Sequence, residues 1–390
     1  MNRIKQFRLA RGYSLDELAV AMGGIVTKQS LSKYERDLSV PSAPVLNQLA
    51  AALRVKAIQL RSEPSVRVRF LAYRKRSTLP RKAQALVQAL VAERLEERVR
   101  LQDCCSTFVP VDLPIEQYEI RSEAEAENAA AKVRDRWKLG VGPIANLTAI
   151  LEDHLVHVIE VEAPEKFDGI SAVADDEKGR PKAAAVVSRV GCPGDRQRLN
   201  LAHELGHLFM KPKSGVDPEK AAFRFAGAFL APRASLEREI GPHRTSICMQ
   251  ELLILKRRFG MSMQALARRM LDLEIISQAT YKWACIHFSK LGFRKEEPEP
   301  VERETSEWLR QAALRCWAEG FVSKQEAERL IGEKLDDRES TTSLRRRAFL
   351  RLPMEERRRV LQEQSAQLQK HYETDESWRL IQDGDVIESR

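Results

Sequence analysis

The sequence has few cysteines and lacks a long apolar run. Its six cysteines among 390 residues include no C-x-x-C pair, and this sparse usage excludes a disulfide-rich scaffold. Charged residues interrupt the apolar stretches before they reach the ~18 consecutive residues that a membrane-spanning helix needs. The first six residues, MNRIKQ, lack the apolar core of a signal peptide. We therefore expect a protein of the reducing cytoplasm that has no membrane partner.

The composition is that of a folded protein with a basic excess. Hydrophobic residues make up 43% of the chain and charged residues 31%, which excludes an intrinsically disordered protein. A length of 390 residues predicts two or three domains. Lys and Arg number 65 against 56 Asp and Glu, so the net charge of +9 allows a polyanionic partner without demanding one.

Residues 1–61 have the pattern of five short helices in a small bundle. The third helix begins at Thr27, and its Leu31 and Tyr34 are expected to face inward. Its outward side chains suit a DNA major groove, because glutamine pairs with adenine, and lysine with guanine or phosphate. The candidate DNA-binding residues are Thr27, Lys28, Gln29, Ser30, Ser32 and Lys33. Nine basic and four acidic residues in 1–60 favour DNA, and a helical bundle that binds protein is the alternative.

The rest of the chain divides into segments by composition and periodicity. The sequence predicts a charged helical linker at 62–121 and a domain of mixed strands and helices at 122–295. A helical extension at 296–338 and a charged helical tail at 339–390 follow. The mixed domain begins with short strands, predicted at 156–161, 170–174 and 183–187. Helices follow, and two of them are predicted at 198–210 and 218–230. The expected fold class is α+β, mostly α.

The sharpest chemical signal is the motif His203-Glu204-Leu205-Gly206-His207. On a helix, a spacing of four residues places both imidazoles on one face, where they can occupy two positions of a tetrahedral zinc ion. Glu204 lies about 100° round the helix from His203, near the open coordination position. There it can take a proton from the attacking water and pass it to a leaving amine. The motif therefore predicts a Zn²⁺ site with Glu204 as its base.

A third protein ligand is expected at the start of the next helix, where Asp217 and Glu219 are the candidates. Glu219 precedes the apolar position Phe225 by six residues and projects from the same side, whereas Asp217 is placed to cap the helix. Glu219 is favoured. Two alternatives to a zinc peptidase site remain. The motif could match by chance, or the domain could bind a metal without cleaving protein. The other histidines are expected to be structural or surface residues: His154, His157, His243 and His287.

Residues 198–207, RLNLAHELGH, and 219–232, EKAAFRFAGAFLAP, resemble the ImmA/IrrE family of metallopeptidases. The similarity extends over about 123–294 and includes FDGIS at 167–171. It implies a zincin-like domain, in which a small sheet carries the H-E-x-x-H helix. It also implies zinc held by His203, His207 and Glu219, Glu204 as the general base, and cleavage of a helix-turn-helix repressor. Many members carry a second acid two residues after the first, where this chain has Ala221.

Two further segments resemble known families. Residues 2–60 are similar to the XRE-type helix-turn-helix family through SLDELA at 14–19 and TKQSLSKYE at 27–35, although the turn at 23–26 is longer than usual. The tail, from RAFLRLPMEERRRVL at 347–361 onward, is more weakly similar to bacterial antitoxins. A solvated charged helix is the alternative for the tail.

These patterns predict a DNA-binding regulator fused to a zinc-dependent endopeptidase. Its expected partners are operator DNA and a protein substrate, either a helix-turn-helix repressor or an antitoxin. A homodimer is also expected, because such folds usually read paired half-sites. Two alternatives remain at this stage: a non-catalytic zinc-containing transcription factor or sensor, and the interaction partner of a toxin–antitoxin pair.

Overall fold

The computed structural model describes residues 2–72, 80–104, 118–164, 167, 169–335, 349–350, 352–359, 361–362 and 365. The chain divides into two compact units, residues 1–310 and 311–390. Most of the predicted antitoxin-like tail, 339–390, lies outside the described residues, although 354–359 are helical. The α+β, mostly α, fold class is confirmed.

Five short helices form the start of the first unit, as predicted. They are α1 (Arg3–Ala10), α2 (Leu15–Ala21), α3 (Lys28–Glu35), α4 (Ala43–Leu53) and α5 (Ala57–Arg61). Ser14 and Glu17 form a capping box on α2, and the Thr27 hydroxyl accepts a hydrogen bond from the Ser30 amide at the start of α3. Phe7, Leu18 and Leu31 are among the buried residues that give this bundle a core of its own.

The predicted linker, 62–121, is instead part of the fold. It contributes strand β1 (Arg67–Ala72) and helix α6 (Arg81–Cys104) to the first unit. Four apolar residues recur along α6 at intervals of four and pack against the sheet: Val87, Val91, Leu95 and Val99. Sequence composition suggested a charged connecting helix because arginine and glutamate are frequent around this stripe, but a narrow apolar stripe is enough to bury one helix face.

Helix α6 also binds the N-terminal bundle through two ion pairs. Arg3 donates to both carboxylate oxygens of Glu96, at 2.6 and 2.8 Å, and Arg11 donates to both oxygens of Glu93, at 2.6 and 2.7 Å. All four side chains are largely shielded from solvent, with exposures between 10% and 24%. These bidentate pairs fix the bundle on one face of α6, since paired parallel hydrogen bonds define an orientation as well as a contact.

A four-stranded sheet lies at the centre of the first unit. It consists of β1, β3 (Val156–Val161), β4 (Ile170–Asp175) and β5 (Pro181–Arg189) in the order β1-β4-β5-β3. Strand β1 is antiparallel to β4, β4 is antiparallel to β5, and β3 is parallel to β5. A second, two-stranded sheet pairs β2 (Tyr118–Ile120) with β6 (Met210–Pro212) in parallel.

The helical half covers the face of the sheet opposite α6. After a short 3-10 turn at Glu123–Glu125, its helices are α7 (Ala126–Arg136), α8 (Leu147–Asp153), α9 (Gly194–Phe209), α10 (Pro218–Leu230), α11 (Arg233–Ile240), α12 (Met249–Phe259), α13 (Met263–Asp272) and α14 (Gln278–Lys290). Leu201 and Leu205 of α9 pack in the core shared with Val158 and Val186 of the sheet. Helix α9 begins four residues earlier than predicted, and α11 was not predicted.

The chain between α14 and the next helix is extended and anchored by two carboxylates. Glu297 accepts a hydrogen bond from the buried Lys256 ammonium at 2.9 Å and another from the Met263 amide. Glu304 accepts from the Leu147 and Thr148 amides at the start of α8. The predicted helical extension therefore begins later than the sequence suggested.

Two helices continue beyond this anchored segment. Helix α15 (Trp308–Ala318) crosses the boundary between the two units, and α16 (Lys324–Ile331) belongs to the second. Ser323 caps α16 by accepting from the Glu326 amide, and Gly332 ends it with a left-handed backbone conformation. In the described part of the chain, no helix is long and apolar enough to cross a membrane.

Candidate metal centre and nucleic-acid interface

Helices α9 and α10 bring three candidate metal ligands together. The Nε2 atoms of His203 and His207 are 3.2 Å apart. Glu219, in the first turn of α10, places one carboxylate oxygen 3.4 Å from the Nε2 of His203 and the other 3.6 Å from the Nε2 of His207. Among the described residues, these three form a group whose donor atoms all lie within 4.8 Å of one another.

The donor set fits zinc in type and spacing. Two imidazole nitrogens and one carboxylate oxygen are common ligands of a catalytic zinc ion, which keeps its fourth position open. Bond lengths of about 2.0–2.1 Å imply ligand-to-ligand distances of roughly 3.3 Å in a tetrahedron. The separation of the two histidine nitrogens, 3.2 Å, lies close to this value, and a different Glu219 oxygen faces each histidine. The two imidazoles therefore have the spacing that the metal requires, and the carboxylate lies within reach of both.

Close packing of α10 against α9 sets the position of Glu219. A Cβ atom built on Gly206 would lie only 3.1 Å from the Phe225 ring, so a glycine at this position lets the two helices approach each other. Asp217 caps α10 by accepting hydrogen bonds from the amides of Glu219 and Lys220. The structure thus places Glu219, and not Asp217, with the two histidines.

Glu204 is a buried carboxylate beside the ligand group. It is 5% exposed and lies about 100° round α9 from His203. A Cβ atom on Gly169 would be 2.7 Å from its Oε1 atom and 2.8 Å from its Cγ atom, so only a glycine leaves room for this carboxylate at the start of β4. The role of Gly169 was missed: 167–171 matched the family pattern, but no local signal in the sequence connects it to Glu204.

Aromatic side chains pack on His203 and on three other histidines, but only His203 of these four belongs to the ligand group. The Phe223 ring lies 4.2 Å from the His203 ring, measured between centroids, and orients it from the side of α10. The His203 Nδ1 atom is buried and forms no hydrogen bond with the described residues. Three other histidines stack or pack on tryptophans: His154 on Trp137, His157 on Trp308 and His287 on Trp283. His243 is exposed and is not in the ligand group.

Among the six candidate DNA-binding residues, Gln29 and Lys33 lie on the face of α3 opposite Leu31, which is fully buried. Thr27, Lys28, Gln29 and Lys33 are exposed, whereas Ser30 and Ser32 are half-buried. Some of these side chains already have partners within the protein. Lys28 forms an ion pair with Asp16 at 2.6 Å, and the Thr27 hydroxyl caps the helix. Gln29 and Lys33 are therefore the side chains best placed to reach a base or a phosphate.

Comparisons with known families agree with this division. Residues 4–60 match the family model described as helix-turn-helix. Residues 193–271 match the family model described as the IrrE N-terminal-like domain. The chain therefore carries a segment similar to helix-turn-helix domains, followed by a segment similar to the IrrE N-terminal-like domain.

The second match covers α9, α10 and α13 and so includes the whole ligand group and Glu204. Both family resemblances expected from the sequence are confirmed, while the resemblance of the tail to antitoxins stays a prediction. Searches of the curated proteins and of the solved structures gave no significant match.

Proposed function

We propose that this protein is a transcriptional regulator with a zinc-dependent endopeptidase activity that cleaves a regulatory protein. The observation that carries the proposal is the group formed by His203, His207 and Glu219, whose donor atoms lie within 4.8 Å of one another, with the buried carboxylate of Glu204 next to His203 in the sequence. The proposed substrate is a helix-turn-helix repressor or an antitoxin. This choice rests on the resemblance of the peptidase domain to the ImmA/IrrE family.

Each residue of the proposed centre has a distinct task. His203, His207 and Glu219 would hold the metal. Zinc, when bound, polarises a carbonyl oxygen and lowers the pKa of a water molecule to about 7. The Glu204 carboxylate would accept a proton from the attacking water and deliver it to the nitrogen of the leaving amine. Contact with Gly169 holds this carboxylate in place, since a larger residue there would displace it.

The DNA-binding half of the proposal rests on α3. Gln29 and Lys33 point away from the core of the bundle, as a recognition helix requires. The Arg3–Glu96 and Arg11–Glu93 pairs fix this bundle to α6, and the apolar stripe of α6 packs on the four-stranded sheet. Binding to operator DNA and proteolysis are therefore proposed to occur within one compact unit of the chain.

The test compares the wild type with Glu204→Gln in the full-length protein. The amide is close in shape to the carboxylate, so zinc content and fold should be preserved, but it cannot accept a proton near neutral pH. The measurement is cleavage of a co-expressed helix-turn-helix repressor from the neighbouring gene, with zinc content read in parallel. Cleavage should stop in Glu204→Gln and continue in Glu237→Gln, which makes the same change on α11.

Two outcomes would contradict the proposal. Wild-type rates in Glu204→Gln would show that Glu204 is not the base. A wild type that cleaves no partner, while its DNA binding responds to zinc, would favour the non-catalytic sensor. The carboxylate of Glu204 argues against that alternative, because a binding-only zinc domain has no need of a buried acid at this position.

A further inference from the structure

A cavity of about 330 Å³ opens beside the proposed metal centre. Helices α9, α10 and α13 contribute most of its lining, in which Leu199, Phe223, Gly227, Met261 and Ala265 are apolar. Six charged residues also line it: Glu123, Lys220, Arg224, Arg268, Arg269 and Asp272. None of these residues supplies a proposed metal ligand or the proposed base. The cavity therefore needs an explanation of its own.

Helix geometry places this cavity within one turn of two metal ligands. Leu199 precedes His203 by four residues on α9, and Phe223 follows Glu219 by four residues on α10, so each lies one turn, about 5.4 Å, along the same helix face. The contact between the Phe223 and His203 rings, 4.2 Å between centroids, confirms that the cavity wall touches a ligand. Leu199 and Glu204 point to different sides of α9, so the cavity and the base flank the centre.

The charged residues around the cavity are paired with one another. Arg268 contacts Asp272 at 2.9 Å, and Lys220 lies 3.7 Å from Glu123. Glu127 accepts hydrogen bonds from both Arg224 and Arg269. Burial raises the pKa of Glu127, but hydrogen bonding to Arg269 and the nearby arginine charges outweigh this effect and hold it below its usual value. These charged residues already have partners, so they would form few new ion pairs with a charged group on a ligand.

We propose that this cavity receives a bulky apolar side chain of the substrate polypeptide, next to the bond that is cleaved. The inference rests on the proposed function and adds a substrate class to it. Leucine, isoleucine, methionine or phenylalanine would bury its side chain against Leu199, Met261 and Ala265. A lysine or arginine would lose its hydration beside arginines that already have their partners, and so would be rejected.

Peptidyl hydroxamates provide a probe that does not depend on catalysis. The hydroxamate group binds zinc, and the neighbouring side chain is varied among glycine, leucine, phenylalanine and lysine in otherwise identical compounds. Dissociation constants are measured by calorimetry on the zinc-loaded, full-length protein. The leucine and phenylalanine compounds should bind at least about tenfold more tightly than the glycine compound, because each buried methylene adds to affinity. The lysine compound should show no such gain.

A substitution in the cavity wall should remove this selectivity. Ala265→Phe fills the cavity. The leucine compound should then bind no more tightly than the glycine compound, so the ratio of their affinities falls to about one. The affinity of the glycine compound should not change. Gln264→Phe adds the same ring at the adjacent exposed position of α13 and should keep the wild-type ratio. Ala265→Leu, a smaller change, should also reduce the ratio and serves if Ala265→Phe fails to fold.

The outcomes separate this inference from the proposed function. Equal binding of all compounds to the wild type, or an unchanged ratio in the Ala265 variants, would overturn the cavity assignment and leave the metal centre intact. Failure of every compound to bind, including the glycine compound, would overturn the metal centre and the cavity assignment with it.

Discussion

Helices α3 and α9 both present functional side chains, but they differ in how much of the helix is buried. In α3 only Leu31 is buried among eight residues, whereas eleven of the sixteen residues of α9 are buried. A helix that reads DNA keeps its polar side chains in solvent until the duplex arrives. A metal centre needs several donors held together in a shielded place, and tertiary packing must supply this. Function and stability should therefore be separable in α3 and coupled in α9.

The largest effect is expected at Arg198, which lies on α9 five residues before His203. Arg198 is 3% exposed, forms an ion pair with Glu304 and donates to the Ile144 carbonyl. Arg198→Ala leaves the Glu304 carboxylate shielded without its cation, so the free energy of unfolding should fall by about 3–5 kcal/mol. Urea unfolding of the full-length protein measures this change.

Arg196→Ala is the matched control for this prediction. Arg196 is exposed and lies two residues earlier on the same helix. Its loss should change the free energy of unfolding by no more than about 0.5 kcal/mol, as surface substitutions usually do. Equal costs for the two variants would mean that burial does not distinguish positions on α9, and the comparison with α3 would lose its basis.

A smaller effect, confined to DNA binding, is expected at Gln29 on α3. If Gln29 contacts an adenine through two hydrogen bonds, Gln29→Ala should weaken operator binding by about 1–3 kcal/mol and relax the preference at one base pair. Unfolding should not change, because the Gln29 side chain is exposed. Fluorescence anisotropy with DNA from the gene's own upstream region, at one fixed salt concentration, gives the affinity. A loss of stability as large as that of Arg198→Ala would contradict the separation proposed for α3.

The smallest effect is expected at Lys33, and it should be independent of sequence. A phosphate contact predicts that Lys33→Ala weakens binding to all DNA sequences alike and lowers the slope of log affinity against log salt by about one. Lys290→Ala removes the same charge from exposed α14 and should leave the slope unchanged. Equal slopes for Lys33→Ala and the wild type would remove Lys33 from the interface.

Local signals predicted the parts of the fold that local interactions build. The five N-terminal helices, with their caps at Ser14 and Thr27, need only contacts within a few residues. Strand β1 was missed although Arg67, Val68, Arg69 and Phe70 alternate as in a strand, because the run is short and its partner β4 lies about a hundred residues away in the sequence. The anchored stretch from Glu297 to Glu304 was predicted as part of the helical extension, because its partners are distant in sequence and leave no local signal.

The candidate site was predictable as far as helix periodicity extends. The four-residue spacing of His203 and His207 predicted that both lie on one face of α9, as they do. The apolar periodicity of α10 favoured Glu219 over Asp217, and the structure places Asp217 at the helix cap. Gly169 could not be linked to Glu204, because that contact depends on where β4 begins relative to α9. The apolar cavity likewise depends on α13, which lies far from the motif in the sequence.

Zinc content of the purified protein is the most direct test of the central claim, that α9 and α10 together form a metal centre. Elemental analysis after purification without chelator should find about one zinc per wild-type chain, held by three side chains. Glu219→Ala should lower this value, because it removes a ligand. Asp217→Asn keeps a good helix cap and should match the wild type. A wild type without metal, or a loss of zinc in Asp217→Asn with none in Glu219→Ala, would contradict the account.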